Sequence, residues 1–318
     1  MISFSTDDLR PQDRFDHWCE VRGKNLFGVT IELERERRAD FQGRFSAIPI
    51  GNAVLAEMTA SSYRVGRTPA DIARVASNSL SIGYQIRGPG YVDIGRGRVH
   101  RIREGDFTVS HSEQPFMGTP ERTDGFHFRT LKIPLSSDIL LGARAHDLAP
   151  GTLDGNTKFT RLIAAMFAAL SGPHESTASP EDDIQHIARL AMLARQRLPQ
   201  GLPESRAALR AGYLHAARAI MKRNLHRPDL TPAAVAAELA ISLRQVHVLF
   251  EPTGLSFART LTAMRLQEAR RRLEMMPQRS VADIAYACGF DSIATFYRVF
   301  RSAYGMTPSD VRMMSLNA

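Results

Sequence analysis

Residues 281–312 read Val-Ala-Asp-Ile-Ala-Tyr-Ala-Cys-Gly-Phe-Asp-Ser-Ile-Ala-Thr-Phe-Tyr-Arg-Val-Phe-Arg-Ser-Ala-Tyr-Gly-Met-Thr-Pro-Ser-Asp-Val-Arg. Ser280 opens a helix over 281–288, and Gly289 breaks it. Asp291 or Ser292 then caps a helix reaching Ala303, and Thr307-Pro308 opens a last one. In the second helix Phe296, Val299, Phe300 and Ala303 are expected to face a core. Ser292, Ile293, Ala294, Thr295, Tyr297, Arg298 and Arg301 are left outside. Two short helices joined by a tight turn follow the helix-turn-helix plan, in which the second helix enters the major groove of DNA. The same outline also fits any small helical bundle.

The plan recurs upstream. Thr231-Pro232 opens a helix to Leu239, and Ser242 caps another over 243–250, ending before Pro252. Val246, Leu249 and Phe250 should point inward, leaving Arg244, Gln245, His247 and Val248 free to meet DNA. A long helix over about 256–276 joins the two pairs. Its Phe257, Leu261 and Met264 share one face, whereas Leu266, Ala269 and Leu273 lie nearly opposite. A helix whose apolar face switches sides packs against two bodies. It would hold two recognition helices so that they enter successive major grooves about 34 Å apart. A further helix with the stripe Leu209, Tyr213, Ala216, Ala217, Ile220 and Met221 precedes them and stops near Pro228.

Charge marks the same region. Residues 1–205 carry 25 Lys+Arg against 25 Asp+Glu, and residues 206–318 carry 16 against 8, so the whole net charge of +8 lies in the last third. A polyanion-binding module joined to a neutral one is expected. Charge alone does not separate nucleic acid from a membrane surface. No run approaches the roughly 18 apolar residues that span a bilayer. The start, 1–8, lacks a basic region followed by an apolar stretch, so no signal peptide and a cytoplasmic setting are expected. Two cysteines, Cys19 and Cys288, make neither a disulfide framework nor a four-ligand metal cluster, and no cofactor is expected.

The neutral part begins as β structure. Leu80, Ile82, Tyr84 and Ile86 alternate with Ser81, Gly83 and Gln85; short runs at 91–94, 99–102 and 107–109 follow, separated by glycine-bearing turns. That spacing suggests an antiparallel barrel or sandwich, with an early helix around 10–24, containing Trp18, packed on it. From Lys158 the period becomes helical through Phe159, Leu162, Ile163, Met166, Phe167 and Leu170. A loop over 171–180 and a helix capped by Ser179, with Pro180 at its first position, come next. These two helices either cover the barrel or pair subunits. The stretch 199–203 reads as a linker.

The C-terminal stretch resembles the signature of AraC/XylS-type transcription regulators. The matching elements are Ile284-Ala285, Gly289-Phe290, Ser292, Phe296, Arg298, Phe300, Gly305, Thr307-Pro308 and Arg312. In the first unit they are Leu230, Ala236, Ser242, Phe250, Gly254, Phe257, Arg265-Leu266, Ala269 and Leu273. Ala240 departs from the glycine common in that turn, which matters only if its φ is positive. The resemblance implies base reading at Ile293, Ala294, Thr295 and Arg298, with Ile293 and Ala294 against thymine methyls and Arg298 on guanine or phosphate. Ser292 joins this set, and Arg270-Arg271-Arg272 reads as a solvated or phosphate-facing run. The segment 61–106 is similar to the cupin-like ligand-binding domain of the same family. Its matches are 63–68, 90–98 and Glu104-Gly105-Asp106. This implies a small effector, often an aromatic acid or amine in relatives, and dimerisation.

The expected fold is therefore α+β: an antiparallel cupin-like barrel with helices at 1–152, a helical pair at 153–200 that dimerises, and an all-α tandem helix-turn-helix domain at 206–318. The expected function is that of a non-enzymatic, promoter-binding regulator, more often an activator. Its expected partners are double-stranded DNA, RNA polymerase, an effector and a second copy, with no membrane. Tyr63, Tyr84 and Arg129 are conceivable pocket residues, each equally readable as structural. One alternative is a constitutive DNA-binding protein whose barrel only dimerises. Another is a metal-dependent cupin enzyme, which would need clustered ligands; His17, His100, His111 and His127 stand isolated in the sequence.

Overall fold

The computed structural model describes residues 2–155, 157–172, 179–276 and 278–316. Most of the expected loop over 171–180 thus lies outside the described residues. The chain divides into two compact units, Met1–Gly212 and Tyr213–Ala318.

In the first unit, period-two sequence becomes two antiparallel sheets. The strands are β1 (Ile2–Ser5), β2 (Thr30–Glu32), β3 (Gly43–Ile50), β4 (Ala53–Ala60), β5 (Arg64–Arg67), β6 (Ser79–Arg87), β7 (Gly90–Asp93), β8 (Val99–Ile102), β9 (Phe107–His111), β10 (Phe116–Pro120), β11 (Phe126–Pro134) and β12 (Gly151–Thr152). Seven form one sheet in the order β1-β3-β4-β11-β6-β9-β12, and five form the other in the order β2-β5-β10-β7-β8. Together they make an open, cupin-like barrel. Helix α1 (Pro11–Trp18) continues as a π-helix to Phe27 and buries Trp18 completely. Trp18 packs beside Phe41, in a core shared with Phe15, Phe45 and Met58. Two short helices, α2 (Pro69–Arg74) and α3 (Ser137–Leu140), sit in connections.

Helices α4 (Lys158–Ser171) and α5 (Pro180–Ala194) lie on the seven-stranded sheet. Phe167 of α4 meets Phe107 edge-on with centroids 5.5 Å apart, and lies 6.2 Å from Tyr84. Arg195, just past α5, donates to the carbonyls of Val109 and Ala149. Every residue of α5 from Ile187 to Leu193 is buried. Covering this sheet accounts for the apolar stripes of both helices.

Helix α6 (Pro203–Arg223) contains both the expected boundary at 206 and the division after Gly212. The second unit continues with α7 (Pro232–Leu239), α8 (Leu243–Phe250), α9 (Phe257–Met275), α10 (Val281–Ala287), α11 (Ile293–Tyr304) and α12 (Pro308–Leu316). Hydroxyl caps start all six: Thr231, Ser242, Ser256, Ser280, Ser292 and Thr307 each accept a backbone N–H three residues on. Helix α9 buries Phe257 and Leu261 near its start and Leu266, Ala269 and Leu273 farther along. The latter three form one core with Ile284, Ala285, Cys288, Phe296 and Phe300 of the second helix pair. The face switch along α9 is therefore real.

Candidate nucleic-acid interface and internal cavity

The second segment of the first helix pair, taken to Thr253, lies at 105° to α7. This is the angle of a helix-turn-helix. The turn between α7 and α8 is closed by Ala240 in the left-handed conformation, φ 54° and ψ 46°. The N–H of Ile241 reaches back to the Ala236 carbonyl at 3.0 Å. Ser242 and Gln245 form a reciprocal capping box at the start of α8. Val246, Leu249 and Phe250 are buried, whereas Arg244, Gln245 and His247 are exposed and Val248 is half-buried.

The second pair is built on Gly289, φ 81°. A Cβ there would lie 2.1 Å from the Leu225 carbonyl oxygen. Arg265 of α9 fixes the same carbonyl, its Nε donating to Leu225 O at 3.1 Å and its Nη2 to Arg227 O at 2.5 Å. Gly289 is thus required by close approach as well as by its turn. On α11, Ala294, Thr295, Arg298 and Arg301 are exposed. Among the described residues, neither Arg244 nor Arg298 has an ion-pair partner. Arg244 stands in the first turn of α8 and Arg298 midway along α11.

The barrel encloses a cavity of about 260 Å³ between the two sheets. Its floor is Ser81, Gln85, Thr108, Ser110, Thr130 and Lys132; Phe126 and Phe128 of the same sheet, with Phe116 and Tyr91 opposite, form apolar walls. Gly83 opens that floor, because a Cβ there would meet the Phe128 ring at 2.5 Å. Among the described residues, no three His, Cys, Asp or Glu side chains converge to hold a metal ion. His111 lines the cavity with both ring nitrogens engaged, Nδ1 accepting the Glu113 N–H and Nε2 donating to Asn78 Oδ1. Burial pushes its pKa down, consistent with a neutral ring. His127 instead pairs with Glu57.

A family model described as the AraC-like ligand binding domain matches residues 71–194, and one described as a helix-turn-helix domain matches residues 235–314. Between them they take in more than half of the chain. The chain belongs to the AraC/XylS-type transcription regulators. The transcriptional activator NphR of a Rhodococcus species is 27% identical over 319 residues, spanning 97% of this chain and 91% of NphR. The HTH-type transcriptional activator RhaS of Escherichia coli strain SE11 is 29% identical over 153 residues, 48% of this chain and 52% of RhaS. The solved structure of the AraC-like transcriptional activator CuxR aligns over 90% of this chain and 99% of its own at 19% identity, with a TM-score of 0.49.

Within this AraC/XylS-type chain the expected site residues fall into different environments. Ala294, Thr295 and Arg298 stand exposed on α11. Ile293 is half-buried against the core below it. Ser292 uses its hydroxyl oxygen to accept the Thr295 N–H. Ala303, expected in the core, is exposed. Tyr297, expected outside, is half-buried, its hydroxyl 3.0 Å from Ser309 Oγ on α12. The pattern of α11 alone does not show that α12 returns to cover this face.

In the arginine run Arg270 and Arg271 are exposed and Arg272 is half-buried. Arg271 and Arg272 both pair with Glu268, and Arg270 pairs with Glu274 while lying 5.0 Å over the Tyr304 ring. Of the conceivable pocket residues only Tyr63 lines the cavity. Tyr84 stacks on Phe107 under α4, and Arg129 pairs with Glu57. Lys132, Ser81 and Ser110 were not legible as cavity residues, since strand alternation separates two faces without saying which one the helices cover. No single helix among the described residues is long and apolar enough to cross a membrane.

Proposed function

We propose that this regulator binds promoter DNA through α8 and α11, each lying in a major groove, with the two grooves adjacent on one face of the duplex. The observation that carries this is the pair of unpartnered, exposed arginines, Arg244 and Arg298, each at the outer face of the second helix of a helix-turn-helix. Thr295, Ala294 and His247 complete the base-facing set. Ile293 and Val248 supply apolar edges suited to thymine methyls, and Gln245 and Ser292 serve mainly as caps. The barrel senses a small effector, and a second copy pairs with this one through the first unit. Effector binding favours one arrangement of a regulator that acts, like its named relatives, as an activator in contact with RNA polymerase. For that the effector must bind the two states differently. The setting is the cytoplasm, and no catalytic step is assigned.

The test is a footprint of the full-length protein on DNA upstream of its own and neighbouring genes, at two salt concentrations. Protection of two adjacent major-groove segments on one face, surviving the higher salt, is the expected result. Sequence-blind binding that vanishes with salt would overturn the reading, because only the phosphate term would be present. Arg298→Ala should then cost about 1–3 kcal/mol on the footprinted site and little on random DNA, measured by titration.

A further inference from the structure

The cavity has one feature that its shape does not require. Its lining includes two buried or half-buried cations, Arg67 and Lys132, and no carboxylate. Arg67 is spent on the fold. Its guanidinium donates to the carbonyls of Ser112, Phe27, Gly28 and Val75, tying β5 to the end of α2 and the end of the π-helix. It lends the cavity charge while four of its five N–H donors are spent on these carbonyls. Lys132 is the reverse case. It sits on β11, opposite Ser81 of β6, which in turn lies opposite Ser110 of β9. Among the described residues its ammonium has neither hydrogen bond nor ion pair. Burial, with the nearby charge of Arg67, lowers its pKa. An ammonium left unpaired in a partly dry site is unfavourable, and stability alone gives no reason for it when β11 also carries leucine and isoleucine.

Resting on the reading of the barrel as an effector sensor, we infer that the cavity takes a compact organic anion, its acidic group on Lys132 and its body between the aromatic walls. The hydroxyls of Ser81 and Ser110, in the same row across the sheet, complete the set of donors suited to a carboxylate. An apolar cavity of about 150 Å³ takes up benzene, so one of about 260 Å³ has room for a single ring with a short acidic arm. Amines of the same size meet two cations and no counter-charge, and are disfavoured.

The experiment compares matched probes on the full chain by thermal shift and calorimetric titration: benzoate, phenylacetate and 4-hydroxyphenylacetate, their primary amides, and benzylamine and phenethylamine. The expected result is a raised midpoint with at least one acid and none with its amide or the amines. Lys132→Met should weaken that acid on the order of tenfold to hundredfold, with Lys132→Gln between the two. Without ligand, Lys132→Met should melt no lower than wild type, because it removes an unpaired charge. That readout also shows that the variant is folded.

Binding of amines or amides in preference to acids would overturn the assignment and leave the sensor reading standing. So would an acid whose affinity ignores both substitutions. No shift with any probe would overturn it too, while the DNA-binding reading stands or falls separately on the footprint.

Discussion

At the scale of single residues, two turn positions show the same backbone demand met in different ways. Gly289 and Ala240 both have φ in the left-handed region, at 81° and 54°. Alanine there costs roughly 1–2 kcal/mol relative to its preferred conformation. Glycine would remove that strain but loses about 0.5–1 kcal/mol of chain entropy on folding. Ala240 is exposed, so no packing is at stake. Ala240→Gly is therefore expected to be neutral or stabilising by up to about 1 kcal/mol. The reverse change is far from neutral. Gly289→Ala places a methyl 2.1 Å from a backbone oxygen that Arg265 already holds. It should destabilise by about 3 kcal/mol or more. Urea denaturation followed by helical circular dichroism reads both variants. Fluorescence of Trp18, the only tryptophan and a member of the other unit, serves as internal control.

At the scale of elements, α9 was the most legible piece, and its electrostatics the least. The switch from Phe257 and Leu261 to Leu266, Ala269 and Leu273 is written in the spacing, and the core follows it. The arginine run, expected to be solvated or phosphate-facing, is exposed at Arg270 and Arg271, and Glu268 lies one turn away from Arg271 and Arg272 on the folded helix. The hydrogen bond from Arg271, then that from Arg272, hold the Glu268 carboxyl down at about 2 against its ordinary 4.5, with burial opposing. A depressed carboxylate contributes its stability above its unfolded pKa and loses it as pH falls through the folded one. The window here runs from about 4.5 down to about 2. Because both arginines are partly exposed, solvent screening limits the contribution to roughly 1–2 kcal/mol. Glu268→Gln should lower stability by that amount at neutral pH and flatten the acid limb of a stability–pH curve across the window.

The strands taught a different lesson. The alternation of β6 was readable, and its apolar side does pack: Tyr84 lies under Phe167 of α4, while Leu80 and Ile82 are fully buried. Its other side, Ser81, Gly83 and Gln85, would ordinarily be assigned to solvent and instead floors a cavity. Lys132 is hidden in the sequence for the same reason. Beside Leu131 and Ile133 it looks like the wet face of a half-covered strand. Only the second sheet, brought over it by long-range pairing, makes that face an interior.

At the scale of the whole molecule, the arginines of the second unit are not equally offered to DNA. In the second unit Arg223 pairs with Glu238, Arg227 with Asp229, Arg270 with Glu274, and Arg271 and Arg272 with Glu268. Arg265 is bound to carbonyls. Among the described residues Lys222, Arg244, Arg259, Arg279, Arg298, Arg301 and Arg312 form no ion pair, so counterion release should be carried by cations of this set. The slope of log K against log salt measures it, at about 0.9 per phosphate neutralised. Arg301 is exposed on α11 next to the base-facing positions, so Arg301→Ala should reduce the slope by about that amount and weaken all sequences alike. Arg271→Ala removes the same formal charge from the same unit but should leave the slope unchanged, because its guanidinium is held by Glu268. Equal changes in the two variants would mean that binding follows the summed charge of the unit rather than the cations α11 presents.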